Sequence, residues 1–249
     1  MKLRTSTRLV MLPALVALGA VVPAPAASAV IGGSVSTYAP WAVRMVVDET
    51  PFCTATAISR EWILSASHCY FDAGQQIDDS RISFRVGDLD QRKGTTVRPV
   101  PGSTHGVGIA DMMLIRVPPM DVKPARLPAP DSVRPGQIVR QYGWGATCQE
   151  DETTCQSDVL KEAVQRVLPP GQARCERFTP PGGGDGRDLC LGRITGIPGG
   201  GDSGGPIMAT GPGQRDTIVA VENDSDRDRT AGAGNVSLVL DEIHQVIGA

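Results

Sequence analysis

Ser203 lies in Gly199-Gly200-Gly201-Asp202-Ser203-Gly204-Gly205-Pro206, a run with five glycines around a single serine. Such a run has almost no side chain to bury, and ordering glycine is entropically expensive. It makes physical sense where backbone must come close to a reacting centre. A serine hydroxyl is a weak nucleophile unaided, so it needs a base, and the base needs an orienting group. Two other segments supply these types. Ser65-Ala66-Ser67-His68-Cys69 follows a strand-like run, and Ala110-Asp111-Met112-Met113-Leu114-Ile115 opens another. An imidazole titrates near neutrality and can take up a hydroxyl proton. A carboxylate can hold its other N–H. His105 and His244 lack a surrounding pattern and read as surface residues; Asp88 and Asp90 read as turn residues.

The chain that must position these groups has 249 residues, enough for one large domain or two small ones. Its 29 glycines and 20 prolines favour many turns and short strands over long helices. A formal charge of −3 argues against a nucleic-acid binder working through a basic surface.

Residues 1–29 read as a secretory signal peptide. Lys2, Arg4 and Arg8 form a basic start, Leu9 to Val22 is apolar but short for a membrane span, and Ala27-Ser28-Ala29 is an Ala-x-Ala cleavage site. Cleavage would leave a mature chain near −6 beginning at Val30, because only those three charges are lost. No later stretch is apolar enough to cross a membrane, so a secreted, extracellular protein is expected. The six cysteines all follow the signal, and an even number in an exported chain reads as three disulfides, whose pairing the residues alone leave open. Metal binding is disfavoured, because neither a Cys-x-x-Cys pair nor a histidine cluster accompanies them.

Short β-rich runs follow Val30: Trp41–Val47, Cys53–Ile58, Trp62–Ala66, Arg81–Val86, Thr95–Val100 and the near-continuous Met112–Val117. The proline-rich segment 121–136 reads as a linker between residues 30–120 and 137–249. The second half carries runs at Ile138–Tyr142, Val159–Val167, Ile207–Ala209, Thr217–Val221 and Val236–Val239. Val239, Ile243, Val246 and Ile247 then recur at helical spacing, which predicts a short terminal helix.

The His68, Asp111 and Ser203 segments together resemble the secreted serine proteases of the trypsin/chymotrypsin family, in their bacterial trypsin-like type. Tyr142-Gly143-Trp144-Gly145, Asp158-Val159-Leu160-Lys161 and Val30-Ile31-Gly32-Gly33 extend the resemblance across residues 30–249. It implies an all-β fold of two packed six-stranded antiparallel barrels with a short C-terminal helix. It implies a serine endopeptidase that needs no cofactor and no metal, with His68 as base, Asp111 as orienting group and Ser203 as nucleophile. The template for these roles comes from this family. The N–H groups of Gly201 and Ser203 would form the oxyanion hole. The new ammonium of Val30 would pair with Asp202, so that export itself could activate the enzyme. The disulfides implied are Cys53–Cys69, Cys148–Cys155 and Cys175–Cys190. The partners implied are a protein or peptide substrate and a proteinaceous inhibitor, with the enzyme a monomer.

Gly201-Asp202-Ser203-Gly204-Gly205 also fits the nucleophile elbow of α/β-hydrolases. That fold needs a helix at the serine and its acid and histidine afterwards. Here Gly-Gly-Pro follows, and only His244 lies downstream. A catalytically silent binding protein on the same fold is the other alternative.

The chain departs from the family at the specificity pocket. Ile197 stands where trypsin carries the aspartate of its pocket base, and Gly199 replaces a cysteine. Ala220-Val221-Glu222 stands for the substrate-pairing strand, and Gly234 for a pocket wall. Ile197 therefore predicts an uncharged residue before the scissile bond. Glu222 is expected either as a carboxylate at the pocket mouth or as a solvated charge.

Overall fold

The computed structural model describes residues 30–108, 110–179 and 187–248. The expected signal peptide lies outside them. The strands are β1 (Ser34–Val35), β2 (Ala42–Val47), β3 (Thr50–Ala57), β4 (Trp62–Ser65), β5 (Phe71–Asp72), β6 (Gln75–Gln76), β7 (Ile82–Val86), β8 (Thr95–Val97), β9 (Thr104–Gly106), β10 (Met113–Arg116), β11 (Ile138–Gly143), β12 (Lys161–Val167), β13 (Asp188–Arg193), β14 (Pro206–Ala209), β15 (Ile218–Ser225) and β16 (Thr230–Asn235). One helix, α1 (Leu240–Ile247), ends the described chain.

The first sheet runs β8-β7-β2-β3-β4-β10-β9. Consecutive β8 and β9 sit at its two edges, and Val100 between them donates its N–H to Arg116 O at 2.8 Å. They are two ends of one bent stave, which makes a barrel of six. The second sheet runs β12-β11-β14-β15-β16-β13 and closes through β12–β13, again six strands, with β1 added outside β12. Every strand pair is antiparallel. Alternation explains β12, where Ala163, Gln165 and Val167 point inward and Arg166 outward. All six residues of β2 are buried, because this strand lies between its own barrel and the second one.

The barrels meet through aromatic residues. Trp41 packs edge-on against Tyr142 with ring centroids 4.9 Å apart, an arrangement worth about 0.5–1.5 kcal/mol beyond its buried area. Trp144 donates its indole N–H to Leu89 O at 2.8 Å, and Trp41 donates to Asp216 Oδ1 at 3.3 Å. One apolar cluster spans the first barrel and this boundary; a second, around Val139, Leu191, Ile207 and Ala231, fills the second barrel.

Three sequence expectations need correction. Residues 30–36, expected with the first barrel, pair with the second: Ser34 lies opposite Glu162, and Ile31 bridges Ile197. Conversely, Val239, Leu240 and Ile243 at the C-terminus join the first barrel's cluster. Val236–Val239 is not a strand, since Val236–Leu238 is a 3₁₀ turn leading into the helix. The strand missed there is β16, whose Thr-Ala-Gly-Ala-Gly-Asn has one β-branched residue, Thr230, and otherwise small or turn-favouring ones. Its glycines are required by packing: a Cβ on Gly232 would lie 2.7 Å from Phe178 Cδ1, and one on Gly234 would meet Met112 Cε at 3.1 Å.

Candidate active site

His68 lies in the 3₁₀ turn Ser67–Tyr70 directly after β4, and Asp111 lies just before β10, which pairs with β4. The register puts Met113 opposite Ser65, so the two strand ends bring the side chains together. His68 Nδ1 is 2.6 Å from Asp111 Oδ2, and the His68 backbone N–H donates to Asp111 Oδ1 at 2.9 Å. One carboxylate thus fixes both the turn and the ring. With Nδ1 engaged, Nε2 is the ring nitrogen left to exchange a proton with another group. Burial pushes the Asp111 carboxyl up, but hydrogen bonds and charge from His68 outweigh it, and the net shift is downward. The His68 side chain remains 46% exposed, so the pair opens to solvent.

Ser203 comes from the turn before β14 in the second barrel and is half-buried. Its carbonyl accepts the Thr54 N–H at 2.9 Å. The Gly204 N–H donates to Glu222 O at 2.8 Å, and Glu222 N–H donates to Gly205 O at 2.9 Å. The serine is therefore clamped between β3 of one barrel and β15 of the other. Gly204 has φ +78°, and a Cβ there would lie 2.4 Å from Thr54 O and 2.8 Å from Ala66 N, two residues before His68. The backbone contact between the barrels brings the serine loop to the histidine turn.

Gly201 adopts φ +91°. Among the described residues neither its N–H nor that of Ser203 has a protein acceptor. Two free donors flanking a serine can hold a developing oxyanion.

Asp202 is fully buried. Its Oδ1 accepts from Gly145 N at 2.8 Å, and its Oδ2 from Gly199 N at 2.9 Å. Burial raises its pKa to about 6 against these bonds and the charges of Arg44 and Arg227. Val30 is also fully buried, and the Ile197 N–H donates to Ile31 O at 3.0 Å, five residues before Asp202.

The disulfides Cys53–Cys69, Cys148–Cys155 and Cys175–Cys190 are formed. Cys53, Cys69 and a His68 nitrogen lie within 4.8 Å of one another, but both sulfurs are in the disulfide and offer no thiolate.

The expected pocket residues fall differently. Ile197 is fully buried in the second barrel's cluster. Ala220 and Val221 are fully buried, and Gly234 faces Met112 rather than open space. Glu222 is neither a mouth carboxylate nor a solvated charge: it is 1% exposed, and its Oε2 has no hydrogen-bond partner. Burial and the negative charge of Asp202 raise its pKa well above the usual range. The outer part of β15, Asn223 and Asp224, is the half-buried part, with Asp224 paired to Arg177 at 2.5 Å. Residues missed by the sequence reading are Arg44, Gln91, Thr54 and Gln156, which converge behind Gly201. The one available signal was a single charged residue inside the apolar run Trp41–Val47.

Among the described residues no helix is long and apolar enough to cross a membrane. The trypsin family model matches residues 30–237. Kallikrein 1-related peptidase b26 of Mus musculus is 26% identical over 234 residues, covering 82% of this chain and 84% of its own length. Thrombin-like enzyme agkihpin-2 of Gloydius halys is 30% identical over 182 residues, covering 68% and 74%. Serine protease 56 of Mus musculus is 26% identical over 203 residues; the match takes in 75% of this chain but spans only 32% of that longer protein. These relatives are eukaryotic and lend no support to the bacterial type. Among solved structures, neuropsin, a serine protease expressed in the limbic system of mouse brain, shares the fold. Its TM-score is 0.70 at 21% identity, over 87% of this chain and 99% of that one.

Proposed function

The chain belongs to the trypsin family, and from that premise we propose that it is a secreted serine endopeptidase acting through an acyl-enzyme on Ser203. The observation that carries this is the 2.6 Å bond between His68 Nδ1 and Asp111 Oδ2, with the serine loop wedged against the same turn.

The Ser203 hydroxyl attacks the scissile carbonyl as its proton passes to His68 Nε2. The carbonyl π-electrons move to oxygen, which takes hydrogen bonds from the N–H groups of Gly201 and Ser203. Collapse breaks the C–N bond, and His68 returns the proton to the leaving amine. Water then attacks the ester with His68 again as base, releasing the acid and restoring the hydroxyl. Asp111 holds the tautomer and stabilises the imidazolium. The substrate is a protein or peptide. An uncharged side chain is favoured before the scissile bond, because a buried ammonium or guanidinium would lack an ionised partner there: Ile197, the residue in place of the pocket aspartate, is packed in the second barrel's core, and Glu222 is held towards its neutral form. A free Val30 ammonium would neutralise Asp202.

Labelling with a fluorophosphonate tests the assignment. Stoichiometric modification of Ser203 together with hydrolysis of a denatured protein is expected. An unmodified Ser203 in folded, processed protein would instead mark a silent binding protein.

A further inference from the structure

Arg44 is fully buried in the middle of β2. A guanidinium in such a place is costly unless its donors are engaged. Nε donates to Gln91 Oε1 at 2.9 Å, Nη1 to Gly201 O at 2.8 Å and Nη2 to Gln156 Oε1 at 2.8 Å. Burial lowers its pKa to about 10, with the Asp202 charge opposing, so it stays charged at neutral pH. The acceptors are themselves held. Gln91 Nε2 donates to Ser157 O at 2.7 Å, and Gln156 Nε2 donates to Gly200 O at 2.7 Å and Glu152 O at 2.9 Å.

The network therefore grips both carbonyls around the Gly201 N–H. Gly200 O takes bonds from Gln156 Nε2 and Ala146 N, and Gly201 O takes bonds from Arg44 and Thr54 Oγ1. In a trans peptide the carbonyl and the following N–H point in opposite directions. Fixing Gly200 O thus aims the Gly201 N–H. Gly201 leaves room for this arrangement, since a Cβ there would lie 2.4 Å from Gln156 Oε1.

We propose that Arg44 is a positioning residue for catalysis, acting from the first barrel through Gln156 to aim the Gly201 N–H at the substrate carbonyl. It touches neither substrate nor the reacting atoms. Charged donors give short, strong bonds, and the rigid planar guanidinium reaches Gln91, Gly201 and Gln156 in a fixed geometry that a lysine's compact ammonium does not reproduce. The inference rests on the serine endopeptidase assignment.

The test compares wild type with Arg44→Met, Arg44→Lys and the half-buried Gln156→Ala. Readouts are kcat, KM and affinity for a peptide boronate, whose tetrahedral adduct on Ser203 places an oxygen at the Gly201 N–H. Folded variants should lose about tenfold or more in kcat, up to the about 10²–10³ that one oxyanion donor supplies. KM should stay within about twofold, and boronate affinity should fall in step with kcat/KM. Arg44→Lys should not rescue, and the Arg44→Met/Gln156→Ala double variant should cost little more than either alone. If Arg44→Met does not fold, Gln156→Ala decides. Variants with kcat within twofold of an active wild type, or with unchanged boronate affinity, overturn this inference alone. A processed wild type inert to fluorophosphonate overturns the parent assignment with it.

Discussion

Gly204 and Ala66 approach across the barrel boundary so closely that a Cβ on Gly204 would sit 2.8 Å from the Ala66 backbone nitrogen. The same atom would lie 2.1 Å from Ser65 Oγ, and the residue has φ +78°. Gly204→Ala must therefore both strain its own backbone and push the barrels apart beside Ser203. A loss of about 3 kcal/mol or more is expected, with activity falling further than stability. Denaturant unfolding and peptide hydrolysis on the same preparation check it; a variant within 0.5 kcal/mol and fully active (about the scatter of neutral surface changes) would contradict the packing argument.

Ser203→Ala and His68→Ala should each abolish turnover while leaving the fold intact, since neither side chain is part of a core. Loss of about 10⁶ in kcat is expected by analogy with subtilisin, and the double variant should lose little more. Near-wild-type melting with no hydrolysis is the predicted pair of results. A tenth of wild-type activity in either variant would sink the role.

Two buried carboxyls, Asp202 and Glu222, should make stability fall as pH rises, and the proposed Val30–Asp202 pair should reduce that dependence. Burial raises both pKa values, Asp202 to about 6 and Glu222 well above the usual carboxylate range, so the folded chain holds protons that the unfolded chain releases. Stability is therefore lost as pH rises from about 4 through 6 and above. For Asp202 alone the shift corresponds to about 3 kcal/mol. A free Val30 ammonium would pull the Asp202 pKa back down. Protein starting at Val30 should thus show a flatter melting profile between pH 4.5 and 7 than protein with even one preceding residue, and only the former should be fully active. Matching profiles and equal activity would rule out the ion pair.

The cleavage profile of a peptide library should favour apolar side chains before the scissile bond. Ile197 is packed in the second barrel's core and the buried Glu222 carboxyl is held towards its neutral form, so neither offers an ionised partner to a basic side chain. Strong selection of Arg or Lys would overturn this.

The barrels were legible in the sequence because their strands are apolar runs cut by turn residues, as at Met112–Val117. His68, Asp111 and Ser203 were legible because their flanking residues make the pattern. β16 was hidden by small residues that packing demands under Phe178 and Met112. The burial of Glu222, inside β15, was hidden because local sequence does not say which charged side chain of a strand will face packed neighbours. Arg44 and Gln156 were hidden for the same reason: 112 positions separate two side chains that touch only in the folded chain.

The ends of the chain are exchanged between the barrels. Ser34 and Val35 extend the second sheet before the first has begun, and Ile243 returns to the first barrel's core after the second is complete. Each half is thus buckled to the other at its far end as well as along the cleft. Strapped in this way, the two halves cannot part beside the His68 turn and the Ser203 loop without also breaking the Ser34–Glu162 pairing or the packing of Ile243.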